Sequence, residues 1–393
     1  LRFSSQTIRE GQLPETVRST QLPLYATSSF CFESLEEGID TFEGRKHLHF
    51  YSRYGNPTVE AVADKIARLE AYGSGFEAHG VLVSSGMAAI STLCLATLRS
   101  GDKLLTQPDL YGGTTELFLK ILGPMGVETL TADLQDLEAV DKLVAAEPRI
   151  RMLYFETPSN PTLRCLDIAA LADIARRHGR LSVVDNTFCT PYLQQPLLLG
   201  ADAVIHSTTK YLNGHGNSTA GIIVGRSEEL VKGPVWQAMK LLGTNCSPFE
   251  AWLTNNGLKT LGLRMDKHSA NAMSVASFLE NHPRIARVNY NGLTGHPDHL
   301  LAKKQMRGFG GMLSFEVTGG LEAAAQFMDK LRFCLIAPTL GDVETLAVHP
   351  ASMSHRALSP AVREANGIPD GLIRLSVGIE DSEDILEDLA QAL

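Results

Sequence analysis

The chain has 393 residues, 44% of them apolar, and a formal net charge of −9 from 35 Lys and Arg against 44 Asp and Glu. That length exceeds one ordinary domain and implies two that share an interface, with enough apolar residues for a large core. The acidic balance speaks against nucleic acid or an anionic membrane as a partner, since both need concentrated Lys and Arg, and no apolar run reaches the roughly 18 residues of a membrane helix.

In chain order, the first ten residues, LRFSSQTIRE, lack the apolar core of a signal peptide. Residues 1–58 carry prolines and short apolar pieces with little periodicity, and Pro23–Phe32 reads as one extended segment. Such a stretch is too long for a loop inside a compact domain, and an arm laid over a neighbouring subunit is the expectation. From Pro57 the pattern turns helical, with Val59, Val62, Ile66 and Leu69 at helical spacing behind Pro57 and Thr58 as start signals. VLVSSGMAAISTLCLATL then reads as a strand, a small-residue turn at Ser84-Ser85-Gly86 and a helix, a layout that offers bare N–H groups to an anion. Taken alone, the turn is equally a plain N-cap.

Strands and helices alternate from there: KLLTQ, TTELFLKILGPMG, VETLTA, LEAVDKLVAAE, RMLYFE, DIAALADIARRHG and LSVVD. That alternation predicts a mostly parallel sheet covered on both faces, an α/β class, over residues 59–252. After about Trp252 the texture changes to one long helical pattern followed by ARVNY, GMLSFEV, LEAAAQFMDKL and LIRLSVG, a smaller α+β domain over residues 253–393.

The chemistry concentrates in Val183–Lys210. Asp185 ends the apolar run Leu181–Val184, and Lys210 follows the run Ala203–Ile205 behind Ser207, Thr208 and Thr209. Neighbouring strands would set both at the carboxyl edge of the sheet, where open α/β sheets bind ligands. An amine buried there has its pKa lowered and becomes a nucleophile. Paired with an acid, it suggests a Schiff-base lysine and a partner for a pyridinium nitrogen. On spacing alone, Lys210 is equally a solvated surface charge and Asp185 a helix cap. The six cysteines form no CxxC pair, so no metal site is expected, and they suit a reducing cytosol; Cys189 is the one candidate to line the site. No metal-ligand spacing joins His206, His215 and His355, which read as structural.

Ser182–Gly216 resembles the pyridoxal-phosphate (PLP) signature of the Cys/Met-metabolism, or trans-sulfuration, enzymes, and Tyr51–Thr58, Ser84–Ile90, Asp109–Thr114, Glu156–Thr162 and Leu372–Asp381 match that family in order. The resemblance implies a fold type I PLP-dependent transferase, aspartate aminotransferase-like, working as a cytoplasmic homotetramer with an active site shared between two subunits. It implies that Lys210 carries PLP and moves protons, that Asp185 faces the ring nitrogen, and that Tyr111 stacks on the ring and serves as an acid/base. Gly86, Met87, Ser207 and Thr209 would hold the phosphate, with Tyr51 and Arg53 arriving from the neighbouring chain. Arg374, Asn160 and Thr345 would hold the amino-acid substrate, and Asn160 also the ring's 3-oxygen. The family eliminates or replaces groups on sulfur amino acids. Members handling cystathionine usually carry an acid just before Tyr-Ser-Arg, where this chain has Phe50, as methionine γ-lyases and sulfhydrylases do. Gly113 is as in cystathionine γ-lyases and γ-synthases, while Asp342 and Ser352 are as in methionine γ-lyases. The expectation is γ-elimination on a methionine- or cystathionine-like substrate, with γ-replacement on an O-acetyl- or O-succinyl-homoserine as the alternative.

Overall fold

A computed structural model describes residues 1–11, 19–356 and 358–393. The arm expected over residues 1–58 therefore includes seven positions, 12–18, that lie outside the described residues. The rest of it is not featureless. It holds helices Phe3–Arg9 and Leu35–Phe42, the second capped by the Ser34 hydroxyl. A bridge between Ser29 and Tyr51 folds the segment back on itself.

The first sheet has seven strands: β1 (His79–Val83), β2 (Lys103–Thr106), β3 (Glu128–Thr131), β4 (Ile150–Glu156), β5 (Leu181–Asp185), β6 (Ala203–His206) and β7 (Gly221–Gly225). Their order across the sheet is β1-β7-β6-β5-β4-β2-β3. The run from β6 to β3 is parallel, and β7 is antiparallel to both of its neighbours. Side chains alternate between the faces of a strand. Thus Met152, Tyr154, Val183 and Ile205 join one buried cluster with the helix Gly86–Thr97, while Leu153, Phe155 and Val184 join another with the helix Ile168–Arg177. Burial on both faces is why these strands read as near-continuous apolar runs.

The second sheet is built from β8 (Ile285–Asn289), β9 (Met312–Val317), β10 (Leu335–Ile336), β11 (Leu346–Val348) and β12 (Leu372–Ser376), in the order β10-β11-β12-β9-β8. Only β10 and β11 pair in parallel. The helices Leu261–Glu280 and Ser382–Ala392 close its core. The boundary read at Trp252 falls inside the helix Pro248–Leu258, which packs on the helix Pro57–Glu70 of the first layer. Among the described residues no helix is long and apolar enough to cross a membrane.

Candidate active site

β4, β5 and β6 end side by side, and the residues at and beyond their carboxyl ends line a cavity of about 240 Å³. Asp185 is the last residue of β5 and Lys210 lies four residues beyond β6; both line it. The amine and the acid thus lie beyond the ends of two adjacent parallel strands and line the same cavity.

One wall is the start of the helix Gly86–Thr97. Ser85 caps it by accepting the Ala88 N–H at 3.0 Å, and the first helical backbone bond runs from Ala89 N–H to the Ser85 carbonyl. The N–H groups of Gly86 and Met87 precede that bond, so they point out of the helix unspent. Gly86 has to be glycine: a Cβ there would meet the Ser207 Cβ at 2.7 Å. The close approach brings the Ser207 side chain to the helix N-terminus. Thr209 also lines the cavity, its hydroxyl exchanging bonds with the Ala220 backbone at 3.1 Å. Bare N–H groups, a helix dipole and hydroxyls together form an anion site.

Asp185 accepts the Thr187 N–H at 3.0 Å and the Thr187 hydroxyl at 2.6 Å on one oxygen, and the Tyr154 hydroxyl at 3.3 Å on the other. Burial pushes its pKa up, and the bonds from Thr187 pull it back. Lys210 Nζ donates to the Thr339 hydroxyl at 2.8 Å. Burial lowers the pKa of that amine, and the positive charge of Arg374 lowers it further. A lysine so placed is a nucleophile and a proton carrier.

The opposite wall comes from the second sheet. Arg374 on β12 is 4% exposed, and burial brings it down to about 10. Its Nη1 donates to Asn160 Oδ1 at 3.2 Å and its Nη2 to the Thr339 carbonyl at 3.0 Å. Its Nε has no partner among the described residues. A buried guanidinium with spare donors suits a small carboxylate. Asn160 lies between two cis prolyl bonds, following Thr157–Pro158 and itself preceding Pro161 in the second. Ile90, Phe188, Pro338 and Leu340 make the remaining lining apolar.

Ten of the residues singled out in the sequence therefore meet in one cavity or on its edge: Gly86, Met87, Tyr111, Asn160, Asp185, Ser207, Thr209, Lys210 and Arg374 line it, and Gly113 lies beneath the Tyr111 ring. Six others lie elsewhere. Thr345, just before β11, is buried in a network with Glu380 and the Gly378 N–H; Thr339, six residues earlier, takes the place beside the amine. Tyr51 and Arg53 are away from this chain's own cavity. Tyr51 is 40% exposed, and Arg53 donates to the Lys240 carbonyl at 2.7 Å. Phe50 packs among Phe32, Phe42 and Tyr54 of the same segment. Cys189 is 1% exposed, and burial pushes its thiol far up, so it is a core residue. His206 is wholly buried against Glu70 at 2.6 Å. Sequence reasoning passed over Thr339, Pro338 and Glu156. The first two stand in an irregular loop; Glu156 stood inside a quoted motif, but its role depends on strand register.

The model of the Cys/Met metabolism PLP-dependent enzymes matches residues 4–393. The L-methionine gamma-lyase of Pseudomonas putida is 45% identical over 393 residues, 100% of this chain and 97% of that protein. The O-succinylhomoserine sulfhydrylase of Pseudomonas aeruginosa is 43% identical over 391 residues, 100% and 95% of the two chains. Among solved structures, cystathionine gamma synthase from Xanthomonas oryzae pv. oryzae, in complex with aminoacrylate and cysteine, superposes with a TM-score of 0.92 at 39% identity, covering 100% of this chain and 97% of that one.

Proposed function

The chain belongs to the Cys/Met metabolism family of PLP-dependent enzymes, and from that premise we propose that it cleaves the Cγ–S bond of a sulfur amino acid such as L-methionine or L-cystathionine, releasing a thiol, ammonia and a 2-oxo acid. Its enzyme class, a PLP-dependent carbon–sulfur lyase of the trans-sulfuration type, follows from the family and the relatives. The single observation that carries the reaction is that one cavity holds a depressed lysine amine, an acid supplied with donors, an unspent helix N-terminus and a buried arginine with a free donor.

These residues fit PLP. The Gly86–Ser207 cradle would hold the phosphate, Asp185 the ring nitrogen, Asn160 the 3-oxygen and Lys210 the aldehyde carbon; all of these line the one cavity. When bound, PLP supplies an electron-accepting ring that stabilises negative charge at the substrate's α-carbon. The protein supplies the rest. Arg374 and Asn160 fix the substrate carboxylate. Lys210 Nζ would take the Cα proton and then serve Cβ and the departing thiol, so that one amine covers three positions. Thr339 is the acceptor that holds this amine. Tyr111 covers the ring and offers a phenol to the substrate amine or leaving group. The apolar wall of Pro338, Leu340 and Ile90 suits a methyl thioether.

We infer that Tyr51 and Arg53 reach the phosphate of a neighbouring subunit. Tyr51 is exposed on the arm beside Leu35, Phe42 and Leu48, which are exposed too. A second chain would cover them, and the assembly we favour is a homotetramer, with residues 1–58 as the arm. All six cysteines are free, which suits the cytoplasm. Phe50, from the neighbour, cannot pair with a distal ammonium, and this favours methionine over cystathionine. Gly113 and the sulfhydrylase relative favour the second reading, γ-replacement on an O-acetyl- or O-succinyl-homoserine. Mixing the holoenzyme with L-methionine alone tests the first: thiol, ammonia and 2-oxo acid should form in equal amounts.

A further inference from the structure

Two acids stand side by side at the floor of the cavity. Glu156 ends β4 and Asp185 ends β5, and they are direct register partners. They are unequally served by donors. Asp185 takes three, two from Thr187 and one from Tyr154. On its side chain Glu156 takes one, the main-chain N–H of Tyr111, at 2.6 Å. The Glu156 backbone is fixed at the same time, because the Gln107 side chain donates to its carbonyl and accepts its N–H, both at 3.0 Å. Glu156 is 8% exposed and borders the cavity.

We propose that Glu156 is a positioning residue, which holds Tyr111 over the cavity through that N–H and leaves Asp185 to carry the negative charge alone. The proposal rests on the reading of Tyr111 and Asp185 as cofactor-facing residues. Two adjacent buried carboxylates do not both ionise cheaply, and the one with more donors keeps the charge. The titratable groups that face Glu156 are Asp185 on the next strand, Asp109 on the loop before Tyr111, and Tyr154 on its own strand; Lys210 and Arg374 line the same cavity. Burial, and then the charge of Asp185, push Glu156 far above the usual carboxylate range. A neutral carboxyl still accepts the Tyr111 N–H through its carbonyl oxygen, so the tether survives without a second charge under the ring.

Glu156→Gln is isosteric and neutral at every pH, and its amide oxygen accepts the same N–H. Glu156→Ala removes the acceptor. PLP titrated into the apoproteins gives a dissociation constant, and the circular dichroism of the bound cofactor reports how the ring is seated. In Glu156→Gln both should stay close to wild type, within about threefold for affinity, with the same pH profile of the visible band. In Glu156→Ala affinity should weaken about tenfold, as loss of a buried hydrogen-bond partner implies, and the dichroism should change. A Gln variant as impaired as the Ala variant, or with a displaced pH profile, overturns the proposal, and so does an Ala variant indistinguishable from wild type. Glu156→Gln decides the point even if the Ala variant does not fold. Lys210→Ala, run alongside, tests the underlying reading separately: a lysine-linked visible band that persists there removes the cofactor assignment, whatever Glu156 does.

Discussion

Lys210 Nζ donates to Thr339 Oγ1 at 2.8 Å, across 129 positions of sequence. The bond ties the amine beyond β6 of the first sheet to the loop that leads into β11 of the second. Arg374 donates to the carbonyl of the same threonine. One residue therefore holds both the proton carrier and the carboxylate fork in register.

Thr339→Val should lower kcat about tenfold through a misplaced amine, since a small misplacement of a positioned group is costly, and should leave KM nearly unchanged because Arg374 bonds the main-chain carbonyl that valine keeps. Thr339→Ser should restore most of the lost kcat. Steady-state kinetics of the three proteins check this; an inert Thr339→Val contradicts it.

Replacing Lys210 with Ala removes nucleophile and base together. Turnover should fall by at least about a thousandfold, the order expected when a covalent nucleophile and its proton transfer are both lost. Borohydride reduction of the wild-type holoenzyme, followed by peptide mass analysis, should find the cofactor on the peptide that carries Lys210.

Arg374→Lys keeps the charge but loses the fork. Removing a charge-assisted buried bond costs roughly 1.5–3 kcal/mol, so KM for the amino acid should rise about 10- to 150-fold, with kcat less affected. Titration of the variant with a substrate analogue that lacks the carboxylate should show no such penalty.

Gly113 sets the seat of Tyr111. A Cβ at position 113 would stand 2.6 Å from the Tyr111 Cε1 and 3.2 Å from the Met87 sulfur. The ring is the part that can yield, so Gly113→Ala should leave the thermal midpoint nearly unchanged and alter the dichroism of the bound cofactor. On the proposed reading, in which Tyr111 serves the leaving group, it should also change the ratio of elimination to replacement. An unchanged ratio and spectrum would show that the ring is not seated by this glycine.

His268 gives a stability test. It is fully buried, its Nδ1 bonds the Val377 carbonyl at 2.7 Å, and burial lowers its pKa to about 4. The unfolded imidazole titrates near pH 6.5. Between about pH 6.5 and about pH 4 the unfolded chain therefore binds a proton that the folded chain refuses, so folded stability is full above that window and falls as pH drops through it. The loss is on the order of 3 kcal/mol at most. Melting curves of wild type and His268→Asn should converge as pH falls from about 6.5 to about 4; parallel curves would contradict the assignment.

The parallel α/β layer was legible because its signals are local. Apolar runs, helix starts and glycine stops put β4, β5 and β6 in order, and Asp185 and Lys210 at their ends. Partners distant in sequence were not legible. Asn160 meets Arg374 across 214 positions, and Glu156 meets Tyr111 across 45. Glu156 reads as one more strand residue until β4 is registered against β5. β7 was missed because GIIVG begins and ends in glycine, which weakens a strand signal. The helix Pro248–Leu258 straddles the boundary at Trp252 because its inner face carries no apolar stripe: two of its buried positions, Thr254 and Asn255, are polar, while Phe249 is exposed. Thr345 bonds Glu380, a partner 35 positions away that its local sequence does not announce.

The most direct test of the function sets L-methionine, L-cystathionine, O-acetyl-homoserine and O-succinyl-homoserine side by side, each with and without sulfide, and measures thiol, ammonia and 2-oxo acid. A γ-lyase releases all three from methionine without added sulfide, and, on the proposed shared site, faster than from cystathionine, whose distal ammonium would meet Phe50 rather than an acid. Turnover confined to an acyl-homoserine in the presence of sulfide or another thiol contradicts γ-elimination and makes the enzyme a γ-replacement catalyst.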